Sequence, residues 1–157
     1  MGYTDEGVGP AVVAIHGCPG SIRDWRWVGG ALAGRLRLIR VDLPGFGQTA
    51  LDTFPGASFE ARAVFLLDAL TRLGIDEFIV MGHSAGAPLA LELGVLSPHR
   101  IRGVALIAGP GLRPHRGLRT HPFIQSIASA LRVPGLKAVL LPGLRAAFER
   151  SGFPRGL

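Results

Sequence analysis

Short apolar runs alternate with helical patterns over the first two thirds of the chain. Four runs rich in Val, Ile, Leu and Ala predict buried strands at residues 11–15, 36–41, 78–81 and 101–108. Between them, apolar side chains recur at helical spacing, which predicts helices after residue 21, over 58–73 and over 85–96. Ser21 and Ser58 stand at expected helix N-caps, and Gly74 stands where the second helix should end.

Strand and helix in this repeating order predict an α/β fold with a parallel sheet of about four core strands flanked by helices. The strand runs are apolar without alternation, as expected for strands covered on both faces. After residues 109–111 (GPG) the pattern changes to helical stretches separated by Pro134 and Pro142. We therefore expect a core at residues 1–110 and the start of a helical lid, itself incomplete, at residues 111–157.

Charge divides the chain at the same place. The 157 residues are 48% apolar, which predicts a folded domain, and the net charge is +6. Residues 1–110 hold nine Arg and ten acidic residues, whereas residues 111–157 hold seven Arg and Lys137 against Glu149. A basic tail can meet nucleic acid or an anionic membrane, but a solvated face of lid helices is the favoured interpretation. We predict no nucleic-acid partner.

Apolar runs, cysteine content and short motifs indicate where the protein is located and which cofactors it could bind. No apolar run approaches the roughly 18 residues that span a bilayer, and residues 1–10 lack the basic and apolar pattern of a secretory signal. Cys18 is the single cysteine, which excludes an internal disulfide and a cysteine-based metal cluster. Neither an H-E-x-x-H nor a phosphate-loop pattern is present. We expect a cytoplasmic protein without metal or organic cofactor.

The candidate chemistry centres on Ser84. Residues 82–86 (GHSAG) match G-x-S-x-G, directly after a predicted strand and at the start of a predicted helix. A serine in such a sharp strand-to-helix turn projects its Oγ from the top of the sheet, and the helix N-terminus favours developing negative charge. The alternative is that Ser84 merely caps the helix.

A second turn follows the first predicted strand at residues 16–20 (HGCPG). Such a turn can aim the backbone N–H of Cys18 at the space above the neighbouring strand. With the N–H of Ala85 it would form an oxyanion hole, in which each donor is worth about 3–4 kcal/mol. The alternative is a plain Gly-Pro turn.

Taken together, HGCPGS, VDLPGFGQT and GHSAG, in this order and spacing, resemble the α/β-hydrolase superfamily over residues 8–110. The resemblance implies a Ser84 nucleophile, an oxyanion hole from Cys18 and Ala85, and a lid inserted after Ala108. It implies a structural role for Asp42 of the DLPGFG motif. It also implies that the histidines within the motifs, His16 and His83, orient or pack and are not the general base.

The resemblance also implies a catalytic acid and a base histidine for Ser84, and the sequence shows no clear candidate for either. In this family the triad acid and the base histidine follow the lid. Apart from Glu92, Glu149 is the one acid after the GHSAG motif, and the later histidines are His99, His115 and His121. None of them follows a recognisable strand end, and the two histidines in the expected lid are interpreted as solvated surface residues.

Two functions follow. The first is a serine hydrolase that cleaves an ester, lactone, amide or C–C bond of a small acyl-type substrate through a Ser84 acyl-enzyme, inactive or weak as this truncated chain. Relatives with dehalogenase or epoxide-hydrolase chemistry carry Asp at the elbow, so Ser84 argues against both. The second is a non-catalytic truncated hydrolase that binds a ligand or a partner. In either case the strand at 101–108 should lie at an open sheet edge and favour self-association.

Overall fold

Five strands and three helices make up the part of the chain that the structure, a computed structural model, describes: residues 1–32, 34–50 and 58–109. The strands are β1 (Tyr3–Glu6), β2 (Ala11–Ile15), β3 (Arg37–Val41), β4 (Phe78–His83) and β5 (Ile101–Ile107). The helices are α1 (Arg26–Leu32), α2 (Phe59–Arg72) and α3 (Gly86–Leu96), with a 3₁₀ turn at Ile22–Trp25. None of the described helices is both long and apolar enough to cross a membrane.

The chain divides into two compact units, Met1–Pro110 and Gly111–Leu157. The second unit lies outside the described residues. The expectations that fall there are a helical lid, solvated surface positions for His115 and His121, and no recognisable strand end before Glu149. They stay predictions.

The sheet has the strand order β1-β3-β2-β4-β5. The four strands from β2 to β5 run parallel, which confirms the predicted parallel core and the α/β fold class. Right-handed crossovers explain where the helices lie. The step from β2 to β3 moves in one direction across the sheet, while the steps from β3 to β4 and from β4 to β5 move in the other. Consequently α1 covers one face, and α2 and α3 cover the opposite face.

The first strand was not predicted from the sequence. β1 pairs antiparallel with β3 and makes the sheet mixed. Its residues (YTDE) are mostly exposed and carry charge, so they lack the apolar run that marks a buried strand. Polar side chains hold it in place: Arg37 of β3 forms an ion pair with Asp5, and Arg40 pairs with Glu6.

The predicted helix boundaries are close to those observed. Ser58 accepts a hydrogen bond from the Ala61 amide and caps α2, and Gly74, with φ +67°, follows its end. Buried leucines of α2 and α3 pack against Val13, Ile39 and Val80 on the sheet. Burying each such side chain contributes about 1.5–3 kcal/mol. This packing fixes the distance of both helices from the sheet. It therefore also fixes the positions of the turns that connect them to the strands.

Candidate active site

Three turns meet at one edge of the sheet. They follow β2, β3 and β4, which run parallel and lie side by side, so their carboxyl ends share that edge. The turns carry residues 16–20, residues 42–47 and Ser84. These are the three motifs on which the resemblance rested, and the fold brings them together.

Ser84 forms the turn between β4 and α3. Its φ is +49°, in the left-handed region that a residue with a β-carbon rarely adopts. Its amide donates to Ile107 O at 2.9 Å, which ties the turn to the end of β5. Ala85 is the N-cap of α3, and no side chain caps that helix, so the alternative in which the Ser84 side chain caps it is wrong. The strain is held by the surrounding packing, as is common at functional sites.

Gly82 explains why the motif needs glycine before the serine. A β-carbon there would lie 2.5 Å from Gly86 O and 2.8 Å from Ala87 Cα. The start of α3 therefore rests directly on the end of β4. A larger residue would lift the helix and move Ser84 with it.

The turn after β2 lies beside the serine. A β-carbon on Gly17 would be 3.1 Å from Ser84 Cβ, so the two backbones approach closely. Cys18 is exposed, and the backbone amides of Cys18 and Ala85 donate to no residue that the structure describes. The convergence of these two amides on one point stays a prediction, which the proximity of the two turns supports.

His16 is wholly buried and uses both ring nitrogens. Nδ1 lies 2.7 Å from Gly17 O, and Nε2 accepts from the Leu43 amide at 3.0 Å. Its ring packs edge-on against Phe46, with 5.2 Å between centroids. A histidine held in this way has no nitrogen left to take a proton from Ser84.

His83 points to the other side of the sheet from the α3 packing. Its half-buried ring meets Trp25 edge-on, with 6.3 Å between centroids. Trp25 is buried, and its Nε1 has no hydrogen-bond partner among the described residues. The contact was not foreseen from the sequence. An aromatic residue shortly after the HGCPG turn was the available signal, because that turn and His83 end neighbouring strands.

Asp42 holds the third turn. Its buried carboxylate accepts from the amides of Ile22 (2.8 Å) and Gln48 (2.9 Å), and its carbonyl accepts from Thr49 Oγ1 at 2.7 Å. Thr49 also accepts from the Gly2 amide at 2.7 Å. The carboxylate thus joins the start of the 3₁₀ turn to the turn after β3. Both oxygens serve the backbone, which is the structural role implied by the resemblance; Thr49 was missed.

No general base for Ser84 stands out within residues 1–32, 34–50 and 58–109. His99 is exposed and precedes β5, so it lies at the opposite end of the strands from Ser84. In the same ranges no group of three His, Cys, Asp or Glu side chains is arranged to hold a metal ion. A depression of about 500 Å³ lies along α2 between Ser58 and Asp68, and its lining includes none of the three turns.

Comparison with known proteins gives consistent matches. Residues 10–150 match the family model of the alpha/beta hydrolase fold. Haloalkane dehalogenase 2 of Mycobacterium tuberculosis is 32% identical over 104 residues, which are 66% of this chain and 36% of that protein. The dihydrolipoyllysine-residue acetyltransferase component of the acetoin cleaving system of Pseudomonas putida is 34% identical over 104 residues, 66% of this chain and 28% of that protein.

A solved structure extends the likeness to the backbone. Cfl2 of Burkholderia cenocepacia superposes with a TM-score of 0.75 at 25% identity, covering 93% of this chain and 52% of that one. The chain therefore spans about a third of the length of these curated relatives and about half of this solved structure.

Proposed function

Because the chain belongs to the α/β-hydrolase fold family, we propose that it carries the nucleophile of a serine hydrolase at Ser84. Membership confirms the resemblance stated from the three motifs. The observation that carries the proposal is the left-handed backbone of Ser84 in the turn between β4 and α3, beside the turn after β2. A strained serine presented at the carboxyl edge of a parallel sheet is the arrangement of a nucleophile elbow.

The reaction is acyl transfer in two steps. Ser84 Oγ attacks a carbonyl carbon, its proton passes to a base, and the carbonyl electrons move onto the oxygen. The amides of Cys18 and Ala85 are proposed to stabilise that oxyanion. The intermediate collapses with loss of the leaving group, and water then releases the acid and restores the hydroxyl. Esters, lactones, amides and activated C–C bonds of small molecules fit this scheme.

The chemistry of serine separates this proposal from the activity in one relative's name, haloalkane dehalogenase, and from the epoxide-hydrolase chemistry set aside above. Attack by a serine oxygen on a haloalkane or an epoxide carbon forms an ether. Water does not cleave an ether readily, so the enzyme would be trapped after one turnover. Attack on an acyl carbon forms an ester, which water does cleave. Ser84 therefore favours acyl substrates.

A base must complete the site. A serine hydroxyl of ordinary acidity needs an acceptor within about 2.6–3.2 Å. Both nitrogens of His16 are occupied, the His83 ring is turned to the other side of the sheet, and His99 lies at the far end of the strands. We propose that the base and its acid lie outside the described residues. We further propose that His115 and His121 do not serve as this base, so that the chain alone hydrolyses an activated aryl ester weakly, far below ordinary enzyme rates of about 1–10³ s⁻¹.

The test is phosphorylation of the chain by diisopropyl fluorophosphate, with imidazole added as a replaceable base. Oγ–P forms, P–F breaks, and the serine proton passes to imidazole. Peptide mapping compares Ser84 with Ser58, which also begins a helix but caps α2 through its hydroxyl. A Cys18→Ala background removes the exposed thiol while keeping its backbone N–H.

We expect imidazole to speed labelling of Ser84 at least about tenfold over Ser58, because two further donors stabilise the developing charge. Equal labelling of the two serines would show that the turn is no nucleophile elbow. Fast turnover of an unactivated ester by the chain alone would place the base within it. Single substitutions of His115 and His121 by Ala would then identify that base.

One observation favours a second function, binding through the sheet edge. β5 has β4 as its one neighbour among the described strands, and Val104, Leu106 and Ile107 are exposed on it. Unpaired edges with apolar side chains recruit further strands. We propose that this edge mediates self-association of the chain, whether or not Ser84 is catalytic.

A further inference from the structure

The hydrogen bonds of His16 define one form of its ring. A carbonyl oxygen can only accept, so the bond to Gly17 O requires a proton on Nδ1. The Leu43 amide can only donate, so the bond to it requires a lone pair on Nε2. Both bonds are made together by neutral imidazole with its proton on Nδ1.

The Gly17 carbonyl belongs to the same peptide unit as the Cys18 N–H. That peptide bond is trans, so its C=O and N–H point in opposite directions in one plane. Because the oxygen is directed at buried His16, the Cys18 N–H is directed away from it, out of the interior. The α-carbon of Gly17, on the same unit, lies against Ser84.

We propose that His16 is a positioning residue that orients the oxyanion hole by holding the Gly17–Cys18 peptide unit; this rests on the proposed function of Ser84. Gly17 has no side chain to resist rotation, so without the bond from Nδ1 the unit can flip and turn the Cys18 N–H inward. The bond also polarises the peptide and strengthens its N–H as a donor. The Leu43 amide and the Phe46 ring hold the imidazole itself in place.

Two substitutions separate the contributions of the hydrogen bonds that the two ring nitrogens of His16 make. The Nδ2 of asparagine stands where Nδ1 stands, so His16→Asn keeps the donor to Gly17 O and loses the acceptor for Leu43. The Oε1 of glutamine reaches the position of Nε2, so His16→Gln keeps the acceptor and loses the donor. Both remove an aromatic ring from the same buried place, so the loss of packing is matched and the bond to the peptide unit differs.

The probe is phenylboronic acid, with imidazole added as the base: boron adds to Ser84 Oγ, the serine proton passes to imidazole, and a tetrahedral boronate forms. Amide ¹H–¹⁵N NMR follows Cys18 and Ala85 during the titration. In the unmodified chain we expect both amides to shift. In His16→Asn we expect both amides to shift and the affinity for phenylboronic acid to stay within about threefold of that of the unmodified chain. In His16→Gln we expect the Cys18 shift to vanish and the Ala85 shift to remain, with binding about tenfold weaker than in the unmodified chain.

The outcomes distinguish the two proposals. If neither amide shifts in the unmodified chain, the proposed function of Ser84 fails and the positioning role with it. If both shift equally in the unmodified chain and in His16→Gln, the positioning role alone fails. Should both variants unfold, the ¹⁵N shifts of the His16 ring in the unmodified chain decide: a proton on Nδ1 supports the role, and a proton on Nε2 overturns it.

Discussion

Gly86 lies directly against the backbone of His16: a β-carbon on Gly86 would fall 2.7 Å from the His16 carbonyl oxygen. The same β-carbon would fall 2.7 Å from the carbonyl oxygen of Ile15. Neither oxygen can retreat easily, because both belong to the end of the central strand β2 and its turn. The start of α3 is therefore set against β2 as closely as backbone allows, and this contact fixes where Ser84 sits.

Substituting Gly86→Ala should destabilise the fold by about 1–3 kcal/mol, the usual cost of overpacking. Gly94→Ala in the same helix is the matched control. A β-carbon there would make an ordinary 3.6 Å contact with Val104 Cγ2, and alanine in a helix is favoured over glycine by about 0.5–1 kcal/mol. Urea unfolding should thus show a lower free energy of unfolding for Gly86→Ala and a higher one for Gly94→Ala than for the unmodified chain. Equal effects would mean that helix propensity, and not the contact with β2, decides.

Asp42→Asn should destabilise the chain by about 1–3 kcal/mol. The carboxylate accepts from two backbone amides, and asparagine replaces one of those oxygens by an NH₂ group that faces a donor. Asp68→Asn, which loosens an exposed pair with Arg72 on α2, should cost no more than about 0.5 kcal/mol. Thermal melts of both variants check this. An Asp42→Asn protein as stable as the Asp68 control would remove Asp42 from its structural role.

The pairing of Asp5 with Arg37 should make β1 sensitive to acid. The hydrogen bond from Arg37 is the largest influence and holds the pKa of Asp5 below its usual value, against a smaller opposing effect of burial. Its stabilisation is therefore present above the unfolded pKa, about 3.9, and is lost as the pH falls through the folded one. The pair is exposed, so Asp5→Asn should cost about 0.2–1 kcal/mol at neutral pH and nothing in strong acid.

NMR titration of the Asp5 carboxyl carbon measures this directly. In Arg37→Gln the midpoint should rise toward the usual value, and added salt should narrow the difference between the two proteins. An unchanged midpoint in Arg37→Gln would assign the lowered pKa of Asp5 to another cause.

Self-association should depend on the β5 edge. Leu106→Lys places a charge on the unpaired strand and should shift the chain toward monomer in sedimentation experiments at high concentration. Val64→Lys makes the same change at a similarly exposed position of α2, 55% against 49%, and should leave association unchanged. A wild-type chain that stays a monodisperse monomer at high concentration contradicts the proposal.

The elements that the sequence predicted are those whose pattern is local. The run at residues 11–15 gives β2 with the same bounds, and Ser58 caps α2 because the capping bond spans three residues. β1 was missed for the opposite reason. Its four residues are polar and become a strand through bonds with Arg37 and Arg40, which lie more than 30 residues away.

The candidate site also has features that follow from the local sequence and features that depend on distant residues. The position of Ser84 in a strand-to-helix turn follows from GHSAG, because the strand and the helix adjoin the motif. The bonds of His16 do not follow from HGCPG, because the acceptor on Nε2 is used by Leu43, which is 27 residues further on. The contact of Trp25 with His83 likewise joins two turns that only the sheet brings together. The motifs identified the candidate reactive groups, whereas the directions in which these groups point depend on the tertiary fold.

The strand order has a consequence for access. From β2 the chain leaves toward β3, and from β4 it leaves toward β5, so the connections that follow these adjacent strands diverge to opposite sides of the sheet. At such a topological switch point, open α/β sheets bind their ligands in the crevice between the departing loops, without any side chain having to create it. Gly17 and Ser84 lie in the two turns where these connections begin, and they approach each other closely. Enlarging either loop elsewhere would reshape the surroundings of this crevice and leave its location unchanged.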